Sequence, residues 1–188
     1  MKTGFVDLHI HSNRSSDGDF PPSDLVRMAV ETGFAAIAIA DHDTVAAYPE
    51  ALEAGEREGV EVIPNIEVTT MFEDREFHLQ IPFLDWTSDR VARIVTRVAE
   101  LRWDEARKRV ANLAALGLGI AWEEIEAASP GLAPLGVTIA RILLDKPQSR
   151  SDPALGKYYD PAGRPLPPAY FYRDFFIEGA PAYVPKQH

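Results

Sequence analysis

At 188 residues, with 46% hydrophobic and 26% charged side chains, the chain has the make-up of a globular protein with one well-filled core and room for a small appended subdomain. No apolar run approaches the roughly 20 residues a membrane helix needs, the N-terminal residues do not read as a secretory signal, and the absence of cysteine excludes disulfides and thiolate metal sites. A cytoplasmic location is the expectation, and a net charge of −10 with a pI of about 4.9 argues against binding to a nucleic-acid duplex.

In chain order, residues 4–11 (GFVDLHIH) read as a short apolar strand running into polar residues. Ser23 is the expected N-cap of a helix. Leu25, Met28, Ala29 and Thr32 follow at helical spacing, and Gly33 stops it. Residues 34–43 (FAAIAIADHD) form the continuous apolar run of a strand buried on both faces. A helix from about Pro49 to Glu58 leads to Gly59. Residues 60–70 (VEVIPNIEVTT) are expected as a third strand and residues 75–86 (REFHLQIPFLDW) as a fourth. This alternation argues for α/β architecture with a parallel sheet or barrel.

The pattern changes after Trp86, which divides an α/β part (1–86) from a mainly helical part (87–188). Ser88 to about Leu116 is a long helical pattern holding seven Lys or Arg against four acids, which reads as a solvated face. Residues 121–129 suggest a shorter helix closed by Pro130, and VTIARILL a further helix. Asp145 to Pro168 carries six of the fifteen prolines and reads as an extended loop, before a last aromatic helix in AYFYRDFFIEG.

Four of the five histidines fall at or near predicted strand ends. His9 and His11 form an H-x-H pair whose rings share one side of a strand. Asp17 follows in the loop, His42 lies within Asp41-His42-Asp43, Glu67 ends the third strand, and His78 lies in the fourth. The carboxyl ends of parallel strands converge on one functional face, so six N/O ligands would meet in one cleft. Imidazole plus carboxylate suits zinc, manganese or iron. Taken singly, each residue also has a structural reading: H-x-H recurs by chance, Glu67 would serve as a helix cap, and His78 between Phe77 and Leu79 would serve as a core histidine. Together they interrupt apolar strands with polar groups that are costly to bury unpaired. Asp7, Asp41 and Asp43 are candidates to orient the histidines or to cap turns.

At these residues the sequence resembles the polymerase-and-histidinol-phosphatase (PHP) family. Asp7-Leu8-His9-Ile10-His11-Ser12 matches its D-L-H-x-H-S signature, Ser16-Asp17-Gly18 its S-D-G, IAIADHDT its D-H-D strand, PNIEVT its G-x-E-like element, and His78 its fourth-strand histidine. The resemblance implies a distorted seven-stranded β/α barrel, here partial and carrying a mainly helical insertion, that binds up to three divalent ions and hydrolyses phosphate esters of small metabolites or nucleotides. It implies that His9, His11 and Glu67 hold one ion, Glu67 and His78 a second, and Asp17 and His42 a third; Asp43 and Arg141 are the catalytic candidates. The family's phosphate-gripping R-P-H-x-A-R element reads Gly136-Val137-Thr138-Ile139-Ala140-Arg141 here, so only Ile-Ala-Arg matches. FFIEGAPAYVP resembles the segment after the insertion. The L-A-H-P and D-x-H elements that follow in the family are not in this sequence, so a fragment of a longer protein is expected ahead of the alternative, a natural short form.

Two other readings compete. A PHP module kept for structure or partner contact would have lost its ligands, and all six positions hold ligating residues. An amidohydrolase-like metallohydrolase also opens with H-x-H but wants a metal-bridging lysine, and no lysine lies between Lys2 and Lys108.

Overall fold

The computed structural model describes residues 4–15, 17–73 and 75–186; Ser16 of the S-D-G element and the terminal His188 lie outside the described residues. The protein forms two compact units, one reaching to Ala99 and the other beginning at Glu100.

The first unit runs β1 (Phe5–Ile10), α1 (Pro22–Thr32), β2 (Phe34–Ile39), α2 (Tyr48–Glu58), β3 (Glu61–Pro64), β4 (Glu67–Phe72) and β5 (Arg75–Gln80). Strands β1, β2 and β3 form a parallel sheet in that order, with β2 central. Parallel neighbours need a crossover connection, and α1 and α2 provide it. Leu25, Val26 and Ala29 of α1 and Tyr48, Ala51 and Ala54 of α2 pack with Ile37, Ile39 and Val62 of the sheet. Ala36, Ala38 and Ile63 form a separate small cluster. The apolar run of β2 is accordingly buried on both faces. Both helices close on a left-handed glycine, Gly33 and Gly59.

Three local expectations need correction. Ser23 is not the cap of α1: Pro21 occupies that position, Pro22 the first turn, and the Ser23 hydroxyl donates to Glu50 Oε1 on α2 (2.7 Å). Proline suits a first turn because its missing N–H would have lacked a helical partner there. The segment expected as one third strand is two, β3 and β4, interrupted at Asn65 and Ile66. Glu67 therefore begins a strand instead of ending one. The fourth strand, β5, runs antiparallel to β4, with Thr69 opposite His78. Only residues 73–74 separate them, far too few for a parallel crossover.

Asn65 marks the break. Its side-chain Nδ2 donates to Leu8 O on β1 (3.0 Å), its Oδ1 accepts from Ile66 N–H (2.8 Å), and its backbone N–H donates to the Tyr48 hydroxyl (2.5 Å). That buried hydroxyl also faces the carbonyls of Ile39 and Asn65.

The second unit includes the later part of α3 (Asp89–Ala115), then α4 (Trp122–Ala128), α5 (Gly136–Asp145) and α6 (Pro168–Phe175). Leu113, Ile125, Ile139, Leu144, Leu155 and Phe171 lie at the centre of its core. The proline-rich segment is not an extended loop. It forms two 3-10 turns, Pro147–Ser151 and Gly156–Tyr158, and pins Leu155 and Tyr158 into that core. Fixed proline φ angles favour such turns. Arg109 also departs from a solvated face, being 4% exposed. It pairs with buried Glu105 one turn away (2.5 Å) and lies over the Tyr172 and Phe176 rings.

Replacing Tyr48 with Phe removes one oxygen from a buried site while leaving the Asn65 N–H without its acceptor. The expected loss is about 1–3 kcal/mol, read as a lower denaturation midpoint by circular dichroism. An unchanged midpoint would show that the hydroxyl does not secure the β3–β4 break.

Candidate metal centre

The site is assembled where β1, β2 and the start of β4 come together. Beyond β2 the chain pairs in parallel with the first residue of β4: Glu67 N–H donates to Asp41 O (3.2 Å) and Asp43 N–H to Glu67 O (3.0 Å). The Glu67 carboxylate is thereby placed beside the H-x-H pair at the end of β1.

His9 Nε2 lies 2.8 Å from both His11 Nε2 and Glu67 Oε2, and His11 Nε2 is 3.0 Å from the same oxygen. The other Glu67 oxygen, Oε1, is 3.0 Å from His78 Nδ1. Asp17 stands between His11 Nδ1 (3.3 Å) and His42 Nε2 (3.2 Å). The rings of His9, His11, His42 and His78 follow one another at centroid separations of 4.7–4.9 Å. All six expected ligand residues thus lie in one cluster, despite the correction to the strands of Glu67 and His78. They form three overlapping groups: His9, His11 and Glu67; His11, Asp17 and His42; and His42, Glu67 and His78. Within each group the candidate ligand atoms lie within 4.8 Å of one another.

Supporting bonds hold the Asp17 loop. Buried Asp41 accepts the Ser12 N–H and hydroxyl (2.6 Å each) and the Ser15 hydroxyl (3.2 Å), and Ser15 Oγ also lies 2.7 Å from Asp17 Oδ1. A Cβ on Gly18 would fall 2.1 Å from the Ser12 carbonyl oxygen, so only glycine lets this loop fold back so tightly. The two serines were not singled out from the sequence, although their positions flanking the H-x-H and S-D-G elements were visible. Of the three aspartates considered as orienters, Asp41 bonds the two serines just described. Asp7 accepts the His9 backbone N–H (3.0 Å). Asp43, at φ 55°, accepts the Thr69 N–H (2.8 Å) and hydroxyl (3.1 Å), tying β4 to the end of β2. Arg141 lies in the second unit, exposed on α5.

The electrostatics suit a cation. Burial alone would raise the Glu67 carboxyl, but the His9 hydrogen bond and the charges of His42, His9 and His11 outweigh it and hold it below its ordinary value. Asp17 behaves alike: bonds to His11, His42 and Ser15 overcome burial and hold it well below the usual range. The Asp17 bond, against burial, raises His11. For Asp41 burial prevails over its serine bonds and raises the carboxyl. His11 Nδ1 and His42 Nδ1 are buried, and among the described residues neither has a well-aligned hydrogen bond, Asp17 Oδ1 standing 3.3 Å from the first and Glu67 Oε2 3.9 Å from the second. Imidazole nitrogens lacking a well-aligned hydrogen bond beside ionised carboxylates fit a divalent metal.

A family profile described as the PHP domain matches residues 7–136. The chain belongs to the PHP family. Over 75 residues, this PHP chain is 44% identical to the 5'-3' exoribonuclease Rnm of Salmonella typhimurium, covering 39% of the chain and 25% of the relative. A 3',5'-nucleoside bisphosphate phosphatase of Chromobacterium violaceum is 30% identical over 113 residues, 60% of this chain and 39% of that protein. Among solved structures, a Bifidobacterium adolescentis protein described as a metal-dependent phosphoesterase superposes with a TM-score of 0.76 at 25% identity, covering 97% of this chain and 58% of that one. The PHP chain thus spans less than two thirds of these proteins. No described helix is long and apolar enough to cross a membrane.

Glu67 belongs to two of the three groups and Asp17 to one. In calorimetric titrations with Zn²⁺, Glu67→Ala is expected to weaken binding at least tenfold more than Asp17→Ala does. Affinity should also fall from about pH 8 to about pH 6 as protons compete for the imidazoles, the decline starting early because the His11 pKa is raised. Equal losses in the two variants would refute the sharing of Glu67.

Proposed function

We propose that this chain carries the metal centre of a phosphoesterase acting on phosphate esters of small metabolites or nucleotides. The observation that carries the reading is the Glu67 carboxylate, with one oxygen facing His9 and His11 and the other facing His78. Names borne by relatives, an exoribonuclease and a nucleoside bisphosphate phosphatase, support substrates of nucleotide type.

In this reading His9, His11 and Glu67 hold one ion, Glu67 and His78 share a second, and Asp17 and His42 hold a third. The donor set suits zinc, manganese or iron. Bound divalent ions would supply positive charge to phosphate oxygens and acidify an attacking water. The chain's own groups do the rest. Glu67 spaces the imidazoles on either side of it, Asp17 keeps His11 and His42 apart, and the Ser12–Asp41–Ser15 bonds fix the loop that carries Asp17. Asp43 serves the reaction by fastening β4, and so Glu67, at the end of β2. Arg141 is proposed to meet a phosphate oxygen through its planar guanidinium. We further propose that residues 1–86 form part of a distorted β/α barrel of the seven-stranded type, residues 87–188 its helical insertion, and that the protein works in the cytoplasm.

An assay of metal-free protein supplied with Mn²⁺ or Zn²⁺ tests this. The probes are an aryl phosphate, a nucleoside 3',5'-bisphosphate and a 5'-phosphorylated oligoribonucleotide. Slow but metal-dependent release of phosphate or nucleotide is expected from this chain, lost with chelator and reduced by at least a hundredfold in Glu67→Ala. No metal-dependent release from any of the three would overturn the proposal.

A further inference from the structure

His78 differs from His11 and His42 in how it is held. His11 and His42 are walled in, their side chains 18% and 12% exposed, whereas His78 is 39% exposed. All six residues of β5 are exposed, so the strand offers little packing to fix a ring. Sheet geometry supplies something else. Residues two apart on a strand share a face, which puts Glu76 beside His78, and Glu76 Oε1 lies 2.8 Å from His78 Nε2. The opposite ring nitrogen, Nδ1, is 3.0 Å from Glu67 Oε1. Each nitrogen of this ring therefore faces a different carboxylate. Among the described residues, the carboxylates within ion-pair distance of His11 and His42 are those of Asp17 and Glu67, both members of the proposed ligand groups. Glu76 belongs to none of those groups.

We propose that Glu76 is a positioning residue for the metal site. It accepts the Nε2–H of His78 and so leaves the Nδ1 lone pair directed at the side where Glu67 lies. A neutral imidazole carries one proton, and the nitrogen that keeps it cannot ligate. A carboxylate at Nε2 selects the tautomer in which Nδ1 is free for a cation and limits rotation of an otherwise loosely packed ring. The strand beneath is also secured: Thr69, directly opposite His78, is tied through its N–H and hydroxyl to Asp43. Glu76 completes that support from the β5 side. An ordinary surface ion pair contributes little to stability, so the effect of Glu76 falls on metal binding and leaves folding nearly untouched.

This inference rests on the metal reading of the site, and one set of variants separates the two. The full chain and its Glu76→Ala, Glu76→Gln and His78→Ala forms are titrated with Zn²⁺ after metal removal. Long-range ¹⁵N–¹H spectra of the zinc-loaded proteins identify the protonated nitrogen of His78. Glu76→Ala is expected to weaken the His78-dependent binding roughly tenfold, with the metal-free Tm unchanged and the proton no longer confined to Nε2. Glu76→Gln, whose amide oxygen still accepts that proton, should retain most of the affinity. If His78→Ala weakens zinc binding while Glu76→Ala leaves it and the spectrum unaltered, the positioning role fails and the metal reading stands. A loss of affinity in Glu76→Ala matched by a loss of Tm and not rescued by Gln would reduce Glu76 to a structural residue. Zinc binding in the parent chain that ignores His78→Ala would remove the metal reading of His78, and this role with it.

Discussion

A carboxylate shared by imidazoles on two sides has little freedom, because each oxygen must keep its own direction. Glu67 meets that condition through its backbone before its side chain is considered. Its N–H and C=O bond to Asp41 and Asp43, which fixes it beside the end of β2. Asn65, two residues earlier, is held by Tyr48 and by the carbonyl of Leu8, so β1, β2 and α2 all bear on the same short segment. The break between β3 and β4 follows from these bonds. Without it, the chain would continue along β3, and the β4–β5 hairpin would not bring His78 back against Glu67.

The cost of this arrangement is a concentration of ionisable groups at partial burial. Isolated, a carboxylate as buried as Glu67 would favour its neutral form. Surrounded by imidazoles, it and Asp17 are held ionised. For Asp41, two serines and the charge of nearby His11 do not offset its deeper burial, which raises its pKa. The helical unit solves a related problem differently: Glu105 is buried with Arg109 against aromatic rings, and that arginine is committed to its own core. A basic residue on a long helix is therefore not by itself a candidate for substrate contact.

Much of the site was legible in one dimension because its residues interrupt apolar runs. His42 follows the buried run Ile37 to Ala40 and Glu67 follows buried Ile63 and Ile66, and a polar group in such a place needs a partner, whereas His9 and His11 follow apolar β1 residues that stay largely exposed. The helices were legible for the same local reason, their periodicity and terminal glycines. Ser23 misled because a hydroxyl ahead of an apolar helical pattern usually caps it, and the adjacent prolines had already taken the first turn. The proline-rich segment misled because proline excludes regular helix and sheet interiors without implying an open chain, and Leu155 and Tyr158 anchor it.

What the sequence by itself determined was the inventory: an α/β start, a helical continuation, and a set of imidazoles and carboxylates of the right chemistry on short strands. These follow from local preferences, which act between residues a few positions apart. Tertiary structure decided where those groups point. The strand break at Asn65, the tie from Asp43 to Thr69 and the burial of Arg109 depend on bonds between residues far apart in sequence. Glu76 stands between the two cases. Its spacing from His78 is written in the sequence, but the nitrogen it faces depends on Glu67 having already occupied the other side of the ring.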